Sequence, residues 1–403
     1  MYVAREMQDT VLSYLNQFKV VLVTGPRQVG KTTMLRHMLS DRYAYVTLDD
    51  LDLLGRIQDD SALFFMENEP PILIDEIQHA PDLFMRIKNL VDASPQKGAI
   101  VLTGSQTYRL MHGVSESLAG RVGILEMRSL SLREVTGTLR RSPYVPEKIS
   151  PARQKAPAPF DLWAHIHRGS MPELLDDRID WQAYYRSYVR TYIERDVREL
   201  VQVRNERTFH DFMIACAART GQLLNMSDIA NTVNVDVATV QGWISVLEAS
   251  GVIHLLRPFW ANTTKRLAKT PKLFFTDTGL ACYLSAWNSP ETLRRGAMAG
   301  HMYETFVVTE VLKSFDNCGA DTRQVHFYRD ARKREIDLVI EEGHVLHPVE
   351  IKMASNPTKD ALKNFTALEG MGDYEVGFGS VICQTPKPYL ITPDVQAISV
   401  FDI

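Results

Sequence analysis

The run Gly25, Pro26, Arg27, Gln28, Val29, Gly30, Lys31, Thr32, followed by Thr33, fits the spacing G-x-x-x-x-G-K-S/T at every fixed position. Its glycines let the backbone turn successive N–H groups toward one anion, Lys31 adds a movable charge for the β- and γ-phosphates, and Thr32 supplies a hydroxyl that can ligate Mg²⁺. ATP with Mg²⁺ is the expected ligand pair. The stretch 71–76, PILIDE, ends an apolar strand in two carboxylates. Asp75 is expected beside Thr32 as a Mg²⁺ ligand, and Glu76 as the group that polarises the attacking water. A Gly-rich turn and an acidic helix cap are the plain alternatives, and each weakens once the other stretch is taken into account.

A second constellation lies near the end of the chain. Asp337 falls inside an apolar strand pattern, and Glu350 and Lys352 stand two apart on the next one, so they point to the same face. Two carboxylates and a carbonyl make an oxygen-rich Mg²⁺ site, and Lys352 can stabilise or deprotonate a water attacking a phosphodiester. A structural lysine–carboxylate pair is the competing explanation. Arg121, presented by Gly120 just before the strand pattern 122–126, could reach the γ-phosphate of its own or a neighbouring subunit. A surface ion pair competes with that role.

These residues need elements to position them. Apolar runs at 20–23, 43–48, 72–74 and 99–103 alternate with helical patterns at 11–18, 33–39 and 83–91, which predicts a parallel sheet covered on both faces, with ligands at its carboxyl edge. Residues 142–159 hold five prolines among Lys, Arg and Ser and read as an exposed linker. A long helical pattern covers 181–203, where Arg195 or Arg198 is a second finger candidate against a solvated face. Residues 209–259 read helix, helix, turn, helix, strand; Ser227 and Asp228 are the expected cap of the middle helix, and a partner strand lies at 272–275. That order describes a winged helix-turn-helix. Its recognition helix, 238–248, exposes Thr239, Gln241 and Ser245, and its wing carries Lys265, Arg266 and Lys269. A helix over 300–315 and strands at 325–329, 334–340 and 346–352 carry the second constellation, beside a basic run at 329–334.

A chain of 403 residues implies two to four domains. Hydrophobic content of 45% and charged content of 23% are ordinary for a globular protein, and no apolar run is long enough to span a bilayer. The first residues, Met1 to Glu6, are polar and unlike a signal peptide, and four cysteines without a C-x-x-C pair suit a reducing compartment and argue against zinc. A cytoplasmic location without a membrane partner is expected. A formal charge of −4 confines any DNA contact to local basic patches.

The motifs GPRQVGKTT, ILIDEIQ, LTGS and SLAGR resemble those of AAA-type ATPases fused to DUF4143, and Asp337 with Glu350-x-Lys352 resembles the PD-(D/E)xK nuclease core of Holliday-junction resolvases. The first resemblance implies that Thr103, Ser105 or Gln106 senses the γ-phosphate and that Gly169 and Pro172 lie against the nucleotide at the start of a lid. The usual sensor Asn is absent. The second implies that Glu304 supports the metal site of Asp337 and Glu350. Together they imply an α/β protein: a P-loop parallel sheet at 1–141, a linker at 142–159, a helical lid at 160–205, a winged helix at 206–285 and a restriction-endonuclease-like domain at 290–403. The implied function is an ATPase acting on branched or junction DNA, assembled into a ring, possibly hexameric, with Mg²⁺-dependent cleavage. A nucleotide switch that binds protein or DNA without cutting is the alternative.

Overall fold

The computed structural model describes residues 2–104, 113–114, 116–149, 160–193, 206–262, 266 and 269–403. Helix α1 (Met7–Gln17) leads into β1 (Val20–Thr24), whose five residues are all buried. A continuous β-branched run of this kind belongs to a strand covered on both faces. There follow α2 (Lys31–Leu39), β2 (Ala44–Thr47), α3 (Leu51–Asp59), α4 (Ser61–Glu67), β3 (Ile72–Asp75), α5 (Leu83–Ala93), β4 (Ile100–Gly104) and β5 (Val122–Glu126). The strands form one parallel sheet in the order β2-β3-β4-β1-β5. Their carboxyl ends therefore share an edge, where the 25–30 loop, Asp75 and Thr103 meet. β4 separates β1 from β3, which puts Thr103 between the loop and the paired carboxylates.

The middle region contains α6 (Leu132–Thr136), α7 (Leu162–Arg168), α8 (Trp181–Tyr188), α9 (Glu206–Ala217), β6 (Gln222–Leu223), α10 (Met226–Val233), α11 (Val237–Ala249), β7 (Ile253–Leu256), β8 (Lys272–Phe275), α12 (Thr278–Leu284) and α13 (Pro290–Arg295). β6, β8 and β7 make a small antiparallel sheet. Two sequence expectations change here. The helix expected over 181–203 is α-helical to Tyr188 and continues as a π turn at Val189–Ile193, while residues 194–203 lie outside the described residues. Thr191 donates its hydroxyl to the Ser187 carbonyl at 2.7 Å, competing with the regular ladder. Arg195 and Arg198 lie outside the described residues. The cap of α10 is Asn225, whose side chain accepts from the Asp228 N–H, so the helix starts before the Ser227–Asp228 pair.

The described part of the proline-rich stretch is not an exposed linker. Tyr144 is buried, its N–H donates to Ser314 Oγ at 2.9 Å, and the backbone of Ile149 exchanges two 2.8 Å hydrogen bonds with the Gln396 amide. Residues 143–149 thus run docked along the C-terminal part of the chain.

That part begins with α14 (Ala299–Asn317) and continues through β9 (Val325–Arg329), β10 (Glu335–Glu342), β11 (Val345–Ile351), β12 (Glu375–Val376), β13 (Gly379–Cys383), β14 (Tyr389–Thr392) and β15 (Val395–Ser399). The sheet is mixed, ordered β14-β15-β13-β11-β10-β9, with β12 beside β11. β9, β10 and β11 are antiparallel, and β13 then pairs parallel to β11. α14 is a bridge between regions. Its Glu310 accepts from the Leu132 N–H at 2.6 Å, Lys313 donates to the Leu130 carbonyl at 2.8 Å, and Asp316 pairs with Arg128. One apolar cluster runs from Met7 and Val21 through Phe212 and Leu247 to Leu312 and Ile398, across the expected boundaries, beside a second confined to the first sheet and a third centred on the C-terminal sheet. Among the described residues, no helix is long and apolar enough to cross a membrane.

Candidate functional site

The helix after the loop opens without a side-chain cap among the described residues: its N-cap, Gly30, is left-handed (φ 92°) and brings no side chain to the first N–H groups of α2. Those donors and the helix dipole face a cleft of about 610 Å³ lined by Arg27, Gln28, Gly30, Lys31, Thr32 and Thr33. Leu48, Leu51 and Leu54 give the opposite wall an apolar surface, and Asp49, Glu76 and His79 complete it. A nucleoside triphosphate needs a polar floor for phosphates and an apolar wall for a base, and this cleft offers both.

Gly25, Pro26 and Val29 shape the loop from behind. A side chain at Gly25 (φ 137°) would meet the Met127 carbonyl oxygen at 2.1 Å, so only glycine fits. The Gly25 and Pro26 carbonyls accept from Lys31 Nζ at 3.0 and 2.8 Å. Val29 is fully buried and its carbonyl accepts from Arg5 at 2.7 Å. Arg5, a brace the sequence reading missed, also donates to the Arg128 carbonyl and pairs with buried Glu134 at 2.9 Å.

Thr32 and Asp75 meet as expected: the hydroxyl donates to Asp75 Oδ1 at 2.8 Å. Thr103 also donates to Asp75, and Tyr45, another residue the sequence reading missed, donates to Asp75 Oδ2 at 3.1 Å. The hydroxyl and carboxylate oxygens that meet here are the donor type Mg²⁺ prefers, so the site fits that ion. Burial lowers the Lys31 ammonium to about 8, against the pull of Glu76 and Asp75. Glu76 adopts a left-handed backbone (φ 55°), its N–H donates to Thr103 at 3.2 Å, and its carboxylate accepts from Gln78. Strain at a non-glycine residue aimed into a cleft is the pattern of a functional position. Ser105 and Gln106 lie outside the described residues.

Two expected partners of the nucleotide stand elsewhere. Arg121 grips Asp92 with two hydrogen bonds, 2.5 and 2.9 Å. Its neighbour Val122 is in register with Val20, the first residue of β1, so Arg121 occupies the amino edge of the sheet. Four strand steps of about 3.3 Å separate that edge from the loop, which removes Arg121 from its own chain's phosphates. Gly169 turns away from the cleft. Its φ is 86°, and a Cβ there would lie 2.3 Å from Tyr185 Oη and 2.7 Å from Asp277 Oδ1. Pro172 does approach the loop, its Cγ 3.8 Å from where a Gly30 Cβ would stand. α8 and the loop touch through Tyr184, whose hydroxyl donates to Gln28 Oε1 at 2.9 Å.

The second constellation converges differently from expectation. Lys272 of β8 places its ammonium 2.8 Å from Glu304 and 2.7 Å from Glu335. Asp337 sits where β10 shifts register against β9, a bulge that re-aims the side chain. Its Oδ2 accepts from the Ile351 N–H at 2.8 Å. Glu350 Oε1 pairs with Lys352 at 2.5 Å, while the buried Oε2 has no hydrogen-bond partner. Burial raises the Glu350 carboxyl, with nearby Asp337 adding to the rise and Lys352 opposing it. Glu304 is raised too, by burial and Asp337 against the pull of Lys272. The expected metal set Glu304, Asp337 and Glu350 is therefore not assembled as three ligands: among the described residues no three such groups are placed to hold an ion. Lysines occupy the carboxylates instead. Lys272 was legible only as a charge opening an otherwise apolar strand, Lys-Leu-Phe-Phe.

The basic side chains expected to track DNA are mostly paired. Arg266 binds Glu341 at 2.8 Å and lies over the Phe259 ring, Lys269 lies over Trp260, Arg329 pairs with Glu335 and Arg334 with Asp330. On α11, the Thr239 hydroxyl donates to its capping residue Asp236 and Ser245 to the Gln241 carbonyl. Lys265 lies outside the described residues.

Comparison with known proteins adds three family matches. Residues 17–136 match an AAA domain (AAA_14), residues 159–291 a domain of unknown function (DUF8612), and residues 299–402 a domain of unknown function (DUF4143). The last two descriptions carry no activity. Uncharacterized protein Rv2008c of Mycobacterium tuberculosis is 28% identical over 347 residues, spanning 85% of this chain and 72% of its own length. Uncharacterized protein Mb2031c of Mycobacterium bovis gives the same figures of 28%, 85% and 72%. Among solved structures, a Walker-type ATPase of Pyrococcus abyssi aligns with a TM-score of 0.46 at 16% identity, over 69% of this chain and 94% of its own. A signal transduction ATPase of Pyrococcus horikoshii with a tetratricopeptide repeat sensor aligns with a TM-score of 0.23 at 11% identity, over 78% of this chain and 47% of its own.

Proposed function

We propose that this protein binds and hydrolyses ATP with Mg²⁺ at the cleft between the 25–33 loop and β3. The observation that carries the reading is the 2.8 Å contact of Thr32 with Asp75 beneath an uncapped helix start. The first N–H groups of α2 hold the phosphates, and Lys31 exchanges the Gly25 and Pro26 carbonyls for phosphate oxygens. Thr32 and Asp75 hold the Mg²⁺, which neutralises charge on the phosphates when bound. Thr103 fixes the Asp75 carboxylate and, through the Glu76 N–H, the residue that takes the proton of the attacking water. Replacing Glu76 by Gln should leave ATP binding intact and lower turnover by at least about 100-fold, the scale of a lost general base. Lys31→Ala should abolish binding. Equal turnover in Glu76→Gln and the native chain sinks the assignment.

A second reading adds Mg²⁺-dependent phosphodiester cleavage at Asp337, Glu350 and Lys352, with branched or junction DNA as the partner. It is favoured by the buried, unpartnered Glu350 Oε2 beside Asp337 and Lys352. The test is cleavage of linear, forked and four-way DNA by the native chain and by Asp337→Asn. No Asp337-dependent cutting of any of them removes this reading. A ring would place Arg121 against a neighbour's loop, and the mass of the complex with and without ATP tests it.

A further inference from the structure

The acidic centre of the C-terminal sheet already holds a cation, contributed by another sheet. Lys272 is only 3% exposed, lies 5.5 Å from the Phe327 ring centroid, and makes ion pairs of 2.8 and 2.7 Å with Glu304 and Glu335. An ammonium this deep survives only where carboxylates surround it. Four carboxylates, Glu304, Glu335, Asp337 and Glu350, face Lys272, Lys352 and Arg329. Without Lys272 the same carboxylates would face only Lys352 and Arg329, an imbalance that favours a bound cation. A second feature points to a missing ligand. Glu350, itself only 7% exposed, keeps one buried carboxylate oxygen without any hydrogen-bond partner.

We propose that Lys272 is a built-in counter-ion that keeps this acidic centre closed to divalent metal. The inference rests on the second reading above only for the chemistry a loaded ion performs. β8 has a connection to the nucleotide loop. It runs on to Asp277, which accepts from the Ser170 N–H at 2.8 Å and the Tyr185 hydroxyl at 2.5 Å, and the adjacent Tyr184 bonds Gln28.

Mn²⁺ binding to the full chain without nucleotide, followed by electron paramagnetic resonance of the free ion, tests this. Lys272→Met should bind one Mn²⁺ at least tenfold more tightly than the native chain, and adding Asp337→Asn should abolish that gain. If Lys272→Met does not fold in metal-free buffer, Lys272→Gln, which keeps a polar group beside Glu304 and Glu335 without the charge, should show the same gain. Unchanged Mn²⁺ affinity in the folded variant overturns the role of Lys272. A tightly bound Mn²⁺ with no cleavage of any DNA supports Lys272 as the counter-ion and overturns the phosphodiester reading alone.

Discussion

Lys31 ties nucleotide affinity to pH. In the nucleotide-free chain its ammonium is buried and lowered to about 8, whereas phosphate oxygens would favour the charged form and raise it. Binding therefore takes up a proton above pH 8: affinity is full below that value and should weaken by about tenfold per pH unit above it. Dissociation constants at pH 7, 8 and 9 check this, and a flat profile refutes it. Arg5 makes a second prediction at this scale. Its guanidinium joins Glu134, Val29 and Arg128 in a buried network. Arg5→Ala leaves a buried carboxylate without its cation and should cost about 3–5 kcal/mol in urea unfolding. A loss below about 1 kcal/mol shows that the brace is unimportant.

At the scale of elements, the lid start and α12 meet at Asp277, which caps α12 through the Leu280 N–H at 2.9 Å and holds Ser170 and Tyr185. Gly169→Ala forces a Cβ into Tyr185 Oη and Asp277 at a left-handed φ, so it should destabilise by more than about 2 kcal/mol, through overpacking and backbone strain together. Thermal unfolding checks this, with Gly343→Ala as a control: φ there is 61° but no atom lies within 4 Å. Similar losses in both variants would mean that backbone strain alone acts. β1, β3 and β4 of the first sheet were legible because strands buried on both faces are uninterrupted apolar runs. The π turn at Val189–Ile193 was not, since a hydroxyl bonding backward at Thr191 leaves no mark in helical periodicity.

Across the whole molecule, α14 joins the C-terminal acidic centre to residues 128–132 behind the first sheet. Glu304 near its start touches Lys272, and Glu310, Lys313 and Asp316 near its end grip residues 128–132. The twelve residues from Glu304 to Asp316 span about 18 Å of helix. Because the apolar cluster is continuous across the three regions, a fragment of residues 1–141 should expose Val11 and Leu132 surfaces and fail to fold cooperatively. Circular dichroism through thermal melting decides it, and a sharp two-state melt of the fragment contradicts the shared core.

The sequence by itself determined the geometry of the 25–33 loop, because a strand, a glycine loop and a helix start are contiguous and their N–H groups point by local geometry. It also determined Asp75 and Glu76, since parallel strands must bring their carboxyl ends to one edge. Tertiary structure alone decided that Arg121 faces the opposite edge, that residues 143–149 dock, and that Lys272 sits among the carboxylates of α14 and β10. Strand order and the seating of one sheet on another fix those contacts, and ion pairs between residues tens of positions apart leave no periodic trace along the chain.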